Sequence, residues 1–373
     1  FQFAKCFRDE DSRADRQPEF TQLDLEMSFV EPPDVQRVVE GAFAEVFKTV
    51  KGLEIRLPLQ RMTWKEAMES YGSDKPDLRF GMKIHHLNEW AVGCGFSIFE
   101  KAVQNNGIVC ATKADGAAAR LSRKDMDALN EHVKTYHVKG LAWLALGEDG
   151  SVRSSFAKFI AQERMQELFE MLSVKPGDAL FLIADDKLTA LTAMGQLRIR
   201  LGQQLDLIDP QAYRFLWVTE FPLLEWNEEA QRYTAAHHPF TMPMEEDFSL
   251  LEERPEQVRA KSYDLVINGI EMGSGSIRIH ASDLQERMFK LLGFSHEQAW
   301  ERFGFLLEAF RYGTPPHGGF AFGIDRLMMV LLGKDNLRDV IAFPKVQNAS
   351  CLMMETPSRV AEDQLKQLRL QTE

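Results

Sequence analysis

Between Phe20 and Val30 the chain alternates apolar and polar positions. Thr21, Leu23, Leu25, Met27 and Phe29 are interleaved with Gln22, Asp24, Glu26 and Ser28. A period of two is that of a strand, and it puts the four polar residues on one face. Residues 1–8 read as the partner strand and the charged stretch 9–18, DEDSRADRQP, as the loop between them, so the chain opens on an antiparallel hairpin. Pro32 and Pro33 then suit the first turn of a helix in which Val35, Val38, Val39, Ala42, Phe43, Val46 and Phe47 recur at helical spacing.

From about residue 75 to 205 the character changes. SDKPDLRFGMK is a breaker-rich lead-in, Ser122 is placed to cap a helix over 123–137, and a second amphipathic helix is expected over 155–172. ALFLIAD, 179–185, reads as a short apolar strand, followed by a helix bearing Leu188, Leu191 and Leu197. No cluster of catalytic residue types falls in this block, so a separate α/β insert with a binding or spacer role is expected. Strand character returns at 215–226 and at 262–280, where Asn268-Gly269 between two apolar runs signals a two-residue hairpin turn. Residues 283–311 read as helical. GGFAFGIDRLMMVLLG, 318–333, reads as a buried strand running into a helix.

Composition narrows this little. The 373 residues are 45% hydrophobic and 27% charged, ordinary for a globular protein. No apolar run approaches the roughly 20 residues of a membrane span. A net charge of -12 argues against a general polyanion binder and confines any nucleic-acid contact to a local basic patch. Cys6, Cys94, Cys110 and Cys351 are too scattered for a zinc knuckle or a disulfide framework, and read as free thiols of a cytoplasmic protein. The N-terminus has no initiator Met and its first residues already read as strand, so upstream sequence is expected.

Three segments carry chemistry. Arg8 and Glu10 stand at the end of the first strand and Phe20 at the start of the next. An arginine fork can sit between two oxyanions, a carboxylate can accept amino protons from a base, and a ring can stack on it. A surface ion pair at a hairpin tip looks the same. Around the Asn268-Gly269 turn, a two-residue loop puts Val266 opposite Glu271 and Asp264 on the face of Glu271. Two carboxylates there suit Mg²⁺, and an ordinary exposed hairpin remains the alternative. Simple alternation sets Arg278 on the face opposite Glu271, unless Gly273-Ser274-Gly275 forms a bulge that flips the parity. Arg326 lies in the first turn of an apolar helix, where the dipole disfavours a cation by about 0.3–1 kcal/mol; a bound anion or an Asp325–Arg326 pair would resolve this. His237-His238 precede a proline in a loop.

The order and spacing of these pieces are specific. FRDEDSRADRQPEFTQLDLE resembles motif 2 of class II aminoacyl-tRNA synthetases and GGFAFGIDRL their motif 3. DRQPEFTQLD, YGSDKPDLRF, AHHPFT, NGIEMGSGSIRIH and RDVIAFPK resemble the aspartyl family of bacterial and mitochondrial type. The resemblance implies an α+β fold, a six-stranded antiparallel sheet flanked by helices. Residues 1–75 and 206–373 would form the catalytic core and 76–205 an inserted GAD-type domain. It implies ATP-dependent activation of L-aspartate to aspartyl-adenylate and transfer to the 3′ end of tRNA(Asp), with tRNA(Asn) a second candidate, by a homodimer using Mg²⁺. Arg8 would bridge α-phosphate and substrate carboxylate, and Arg326 would grip the far phosphate. Asp9, Glu10, Gln17, Phe20, Glu271, Gly323, Ile324 and Asp325 would line the ATP site. Asp24, His237 and Arg278, with Arg8, would hold aspartate, and Asp264 and Glu271 the metal. The family's glycine run is usually Gly-Gly-Gly; here Ser274 takes the middle place and is a candidate for the metal shell. Motif 1, an anticodon-binding OB domain and a loop closing over aspartate are expected upstream. A tRNA-independent asparagine synthetase on the same core lacks the insert, and a non-catalytic synthetase-like protein would be free to lose Arg8, Glu271 or Arg326.

Overall fold

A computed structural model describes residues 1–9 and 13–371. The chain opens with β1 (Gln2–Phe7) and β2 (Glu19–Ser28), paired antiparallel from Gln2↔Asp24 to Phe7↔Glu19. Phe29 does not extend the strand: its φ of 58° turns the chain, and its ring is exposed. β3 (Gln60–Thr63), β4 (His85–His86), β5 (Ile108–Ala114), β6 (Ala142–Leu146), β7 (Val152–Ser154) and β8 (Ala179–Asp185) follow. Then come β9 (Phe215–Thr219), β10 (Leu224–Asn227), β11 (Arg232–Ala235), β12 (Ser262–Ile267), β13 (Ile270–Ile277) and β14 (His317–Gly323). The chain divides into two compact units, one of residues 1–58, 272–286 and 296–373, the other of residues 59–271 and 287–295.

In the first unit the strands lie in the order β1-β2-β14-β13, all antiparallel. The register sorts the two faces. Leu23 and Leu25 of β2 face Phe322 and Phe320 of β14. Phe322 packs edge-on to Phe43 of the helix Pro32–Lys51, ring centroids 5.0 Å apart. That helix starts on its prolines and buries Val35, Val39, Phe43 and Phe47, a strict i,i+4 stripe, while Val38 faces solvent. The opposite face carries Gln22, Asp24 and Glu26 beside Gly323, Ala321 and Gly319.

The second unit holds a three-stranded set β12-β9-β3, in which β3 pairs parallel to β9, the hairpin β10-β11, and a five-stranded sheet β4-β5-β8-β6-β7. Strands and helices alternate in this block, as its α/β reading expects, and every pair of the five-stranded sheet is antiparallel. Its faces explain the apolar run at 179–185. Phe181 and Ile183 join one core with Met126, Leu129, Met194 and Leu201, and Leu180 and Leu182 join another with Trp90, Phe99, Phe156 and Leu168. A strand covered by helices on both sides needs no polar alternation. Ser122 caps Arg123–Lys134 in a box with Asp125. The helix expected over 155–172 is shorter, Gln162–Met171 after a 3₁₀ turn at Ala157–Phe159, and 283–311 is two helices, Ser282–Leu291 and His296–Phe310, broken where Gly293 has φ 76°. All four cysteines are free thiols. No described helix is long and apolar enough to cross a membrane.

Gly72, the left-handed C-cap of the helix Trp64–Tyr71, lies against the helix Lys187–Gln204. A Cβ on Gly72 would stand 2.0 Å from the Leu191 carbonyl, and one on Gly195 2.4 Å from the Gly72 carbonyl. Gly52 shares the φ of 66° but has open space around it. Gly52→Ala should therefore cost about 1 kcal/mol of strain. Gly72→Ala should cost at least about 2 kcal/mol more, because backbone must move. Urea unfolding of the two variants checks this, and equal costs would mean that the helices do not meet at these glycines.

Candidate active site

The first unit builds its polar face from the hairpin outward. Arg8 follows the last residue of β1 and is tied to the return strand by its N–H, which donates to Pro18 O at 2.9 Å. Its guanidinium lies 5.2 Å from the centre of the Phe20 ring, so the cation and the ring expected at the nucleotide stack on each other. Asp9 is exposed beside Arg8, and Glu10 falls outside the described residues.

The loop end of the hairpin is held by three partners. The Arg326 guanidinium donates to the Asp15 carbonyl at 3.2 Å, with the Asp15 carboxylate 3.7 Å away, and Leu337 N–H donates to Ala14 O at 2.8 Å. Asp325 does not pair with Arg326; its carboxylate accepts the Thr21 N–H at 2.9 Å. Both residues stand in the first turn of the helix Ile324–Leu331, capped by Gly323. Gln17, expected to line the nucleotide site, is buried, and its amide oxygen accepts Lys345 N–H at 2.9 Å. Lys345 also reaches Glu19 at 3.4 Å. The pieces of sequence that looked separate, 8–20, 323–326 and 338–345, are thus one bonded cluster.

Further along the face, Asp24 lies on the row Asp24–Ala321–Ser274 and Glu26 on the row Glu26–Gly319–Ser276. Arg278, just past β13, meets the second row. Its Nε and Nη2 donate to the two oxygens of Glu26 at 3.1 and 3.3 Å, and its Nη1 to Ser276 Oγ at 2.5 Å. The side chain is 21% exposed, so this bidentate pair is half-screened from water. Glu26 was missed as a functional residue, although its place in the alternation beside Asp24 and the double glycine at 318–319 were available signals. A Cβ on Gly319 would lie 2.0 Å from a Glu26 carboxylate oxygen and 2.3 Å from the Leu25 carbonyl.

The expected bulge at Gly273–Gly275 does not form against β14. The ladder runs one to one from Gly273↔Phe322 to Ile277↔Gly318. Glycine serves close approach here instead, since a Cβ on Gly273 would stand 2.3 Å from Ala321 O.

The second unit carries the remaining candidates. Asn268 and Gly269 both have positive φ, 53° and 81°, as the two-residue type I′ turn requires. With β12 ending at Ile267 and β13 starting at Ile270, Val266 stands opposite Glu271, and Asp264 shares the face of Val266. Asp264 is buried and Glu271 half-buried. Two carboxylates are a fit donor set for Mg²⁺, which commonly takes one or two from protein and the rest from phosphate and water. Among the described residues no group of three or more His, Cys, Asp or Glu side chains forms a cage. His237 is exposed and packs edge-on to Phe221, while Nδ1 of His238 accepts the Phe240 N–H at 3.2 Å and shapes the turn.

A helix-backed antiparallel sheet with an arginine at the end of its first hairpin and another at the head of the helix that follows β14 is the arrangement that the sequence resemblance implies. The sequence model of the class II tRNA synthetases (D, K and N) matches residues 1–347, and the chain belongs to that family. Within it, the chain is 56% identical over 370 residues to an aspartate–tRNA(Asp/Asn) ligase of Bacillus cereus, covering 99% of this chain and 62% of the relative. It is 55% identical over 373 residues to an aspartate–tRNA ligase of Clostridium perfringens, covering 100% and 62%. The chain thus spans 62% of the length of these curated relatives. Aspartyl tRNA synthetase from Entamoeba histolytica is a structural neighbour at 19% identity and a TM-score of 0.42, over 92% of this chain and 46% of that one.

Gly319→Ala should force Glu26 off its row and strain the β2–β14 ladder, costing about 1–3 kcal/mol. A thermal melt checks this: Tm should fall by several degrees, and an unchanged Tm would mean that the row has slack the packing does not suggest.

Proposed function

We propose that the protein activates L-aspartate with ATP and passes the aspartyl group to the 3′ end of tRNA(Asp). The observation that carries this reading is the Arg278 fork, fixed by Glu26 and Ser276 on the same polar face as Asp24. A substrate with a carboxylate at one end and an ammonium at the other matches an arginine and an aspartate so arranged. The two relatives, both named aspartate–tRNA ligases, support the same substrate.

In the first step an oxygen of the aspartate α-carboxylate bonds to the α-phosphorus of ATP. The bond to the bridging oxygen breaks, and pyrophosphate leaves with the electron pair. Arg8 neutralises the two anions as they approach, and Arg326 holds the far phosphates, where an anion relieves the conflict between its charge and the helix dipole. Phe20 stacks on adenine, Glu10 reads its amino group, and Asp9, Gln17, Gly323, Ile324 and Asp325 frame the site. Asp24 takes the substrate ammonium, and Arg278 with His237 the side-chain carboxylate. Asp264 and Glu271 would hold Mg²⁺, which would offset charge on the phosphates; for Glu271 to share the face of Arg278 the parity of β13 has to change before Gly273, since the ladder onto β14 is one to one from there to Ile277. In the second step a 3′-terminal ribose hydroxyl attacks the acyl carbon and AMP departs. Residues 76–205 act as an inserted module of the GAD type within a core of 1–75 and 206–373. The working form is a cytoplasmic homodimer, and tRNA(Asn) is a second acceptor to be assayed beside tRNA(Asp).

Two variants of the intact enzyme test this in ATP–pyrophosphate exchange. Arg8→Ala should slow exchange about a hundredfold or more, the loss of a charge-assisted contact made in the transition state. Arg278→Leu should lose aspartate activation while ATP binding stays within a few-fold. Near-normal exchange in Arg8→Ala would remove its role. Weakened ATP binding with normal aspartate activation in Arg278→Leu would make Arg278 a phosphate ligand.

A further inference from the structure

Arg198 lies on the helix Lys187–Gln204, far along the chain from every candidate site residue, yet it is 1% exposed. Burial is expensive for a guanidinium: desolvation pulls its pKa down to about 10, still charged at neutral pH. What compensates is a set of carbonyls. Nη2 donates to Asp77 O at 2.8 Å, Phe80 O at 2.9 Å and Gly81 O at 2.8 Å, and Nε is within 3.1 Å of Gly81 O and Met82 O. The Phe80 and Tyr71 rings flank it at 4.0 and 4.9 Å. The breaker-rich segment 77–82 is therefore folded around one planar cation.

That segment bears on the turn that follows β12. The Asp77 carboxylate is closed off by Arg79, at 3.1 Å from Nε and 2.7 Å from Nη2, and accepts the Arg79 N–H at 2.9 Å. The outer side of Asp77 touches Gly269, where an added Cβ would stand 3.1 Å from Asp77 Cβ. Across the turn, Asn268 Oδ1 accepts the Arg214 N–H at 2.8 Å and Nδ2 donates to Ala212 O at 2.8 Å. A 310 Å³ cavity lined by Tyr71, Lys75, Asp77, Arg198, Asn268 and Gly269 marks the junction. The turn is thus gripped on one side by 212–214 and on the other by a loop that Arg198 organises. Asp264 lies four residues before the turn and Glu271 two after it.

Resting on the metal reading given above, we propose that Arg198 is a positioning residue for the Asp264–Glu271 pair: through segment 77–82 and Asp77 it fixes the Asn268-Gly269 turn, and with it the separation of the two carboxylates. The insert's helix then contributes to catalysis without touching substrate. Lysine cannot replace this arginine. Its ammonium is a compact point charge with three donors, and it lacks the planar fork that meets carbonyls on two sides. Unbonded carbonyls would let the segment relax and Asp77 retreat from Gly269.

The test uses the intact enzyme and Mn²⁺ as the probe, with affinity read by electron paramagnetic resonance in the presence of a non-hydrolysable ATP analogue. Thermal melts and the Mg²⁺ midpoint of pyrophosphate exchange run beside it. Arg198→Lys should weaken Mn²⁺ by about 10-fold or more, as loss of an outer-shell support does, raise the Mg²⁺ midpoint, and leave the aspartate KM within about twofold. Gly269→Ala, acting at the other end of the same contact, should do likewise, and the double variant should be less than additive. Leu168→Ala, buried in the insert's other core, should lower Tm but leave Mn²⁺ affinity alone. If Asp264→Asn and Glu271→Gln bind Mn²⁺ as the wild type does, the metal reading falls and takes this inference with it. If they lose Mn²⁺ while Arg198→Lys and Gly269→Ala are folded and bind it normally, only the positioning role is overturned. Should Arg198→Lys fail to fold, Gly269→Ala decides alone, and normal affinity there overturns the proposal.

Discussion

A guanidinium tells a carboxylate from other groups best when it is held in one orientation, and in this protein Glu26 holds Arg278. The pair is possible because Gly319 lies between Glu26 and Ser276 on the sheet and leaves the volume that the carboxylate occupies. Everything nearby in the first unit serves that row. The alternation of β2 puts Asp24 and Glu26 outward and Leu23 and Leu25 onto Phe320 and Phe322, which rest on the Pro32–Lys51 helix. A slip of one residue in that ladder would bury both carboxylates and expose the apolar face, so the core enforces the register of the site. The same acidic partner that orients Arg278 also offsets part of its charge. In the proposed reading some attraction is given up for a fixed geometry, which suits discrimination between a carboxylate and an amide better than raw affinity.

The end of the face proposed for the nucleotide is organised differently. Its residues are short-range in chemistry but long-range in sequence: Arg326 and Asp325 hold the first hairpin at Asp15 and Thr21, and Gln17 holds Lys345. Several groups expected to touch ATP therefore also brace the loop they belong to. In the second unit the bracing is done by backbone. Gly72 and Gly195 let two helices meet, and Arg198 gathers the carbonyls of 77–82 beside the turn between Asp264 and Glu271.

Periodicity made much of this legible. The first hairpin, its helix start at Pro32, the cap at Ser122, the strand 179–185 and the Asn268-Gly269 turn follow from local rules, and the structure has each of them. The failures have a common cause, which is that packing outside the sequence window decided them. Glycines at 273 and 275 suggested a bulge, but the ladder onto β14 is unbroken and Gly273 serves close approach. Strand direction within residues 76–205 left no local pattern, and the pairing there is antiparallel. Arg198 left a faint trace, a cation on the stripe of Met194 and Leu201, and its carbonyl partners lie more than a hundred residues away. Glu26 was visible as a polar strand residue, but its partner was not.

Whether a positioned arginine sets the substrate is tested most directly by comparing aspartate and asparagine in ATP–pyrophosphate exchange with the intact wild-type enzyme. The two differ by one oxygen replaced with an amide nitrogen, so shape cannot separate them. A site built around a buried polar contact should favour aspartate by about 10⁴-fold or more in kcat/KM, because asparagine turns N–H donors toward the cation and leaves groups unpaired. Exchange with asparagine within about tenfold of that with aspartate would contradict the account, since it would mean that the Glu26–Arg278 pair does not read the substrate's side chain.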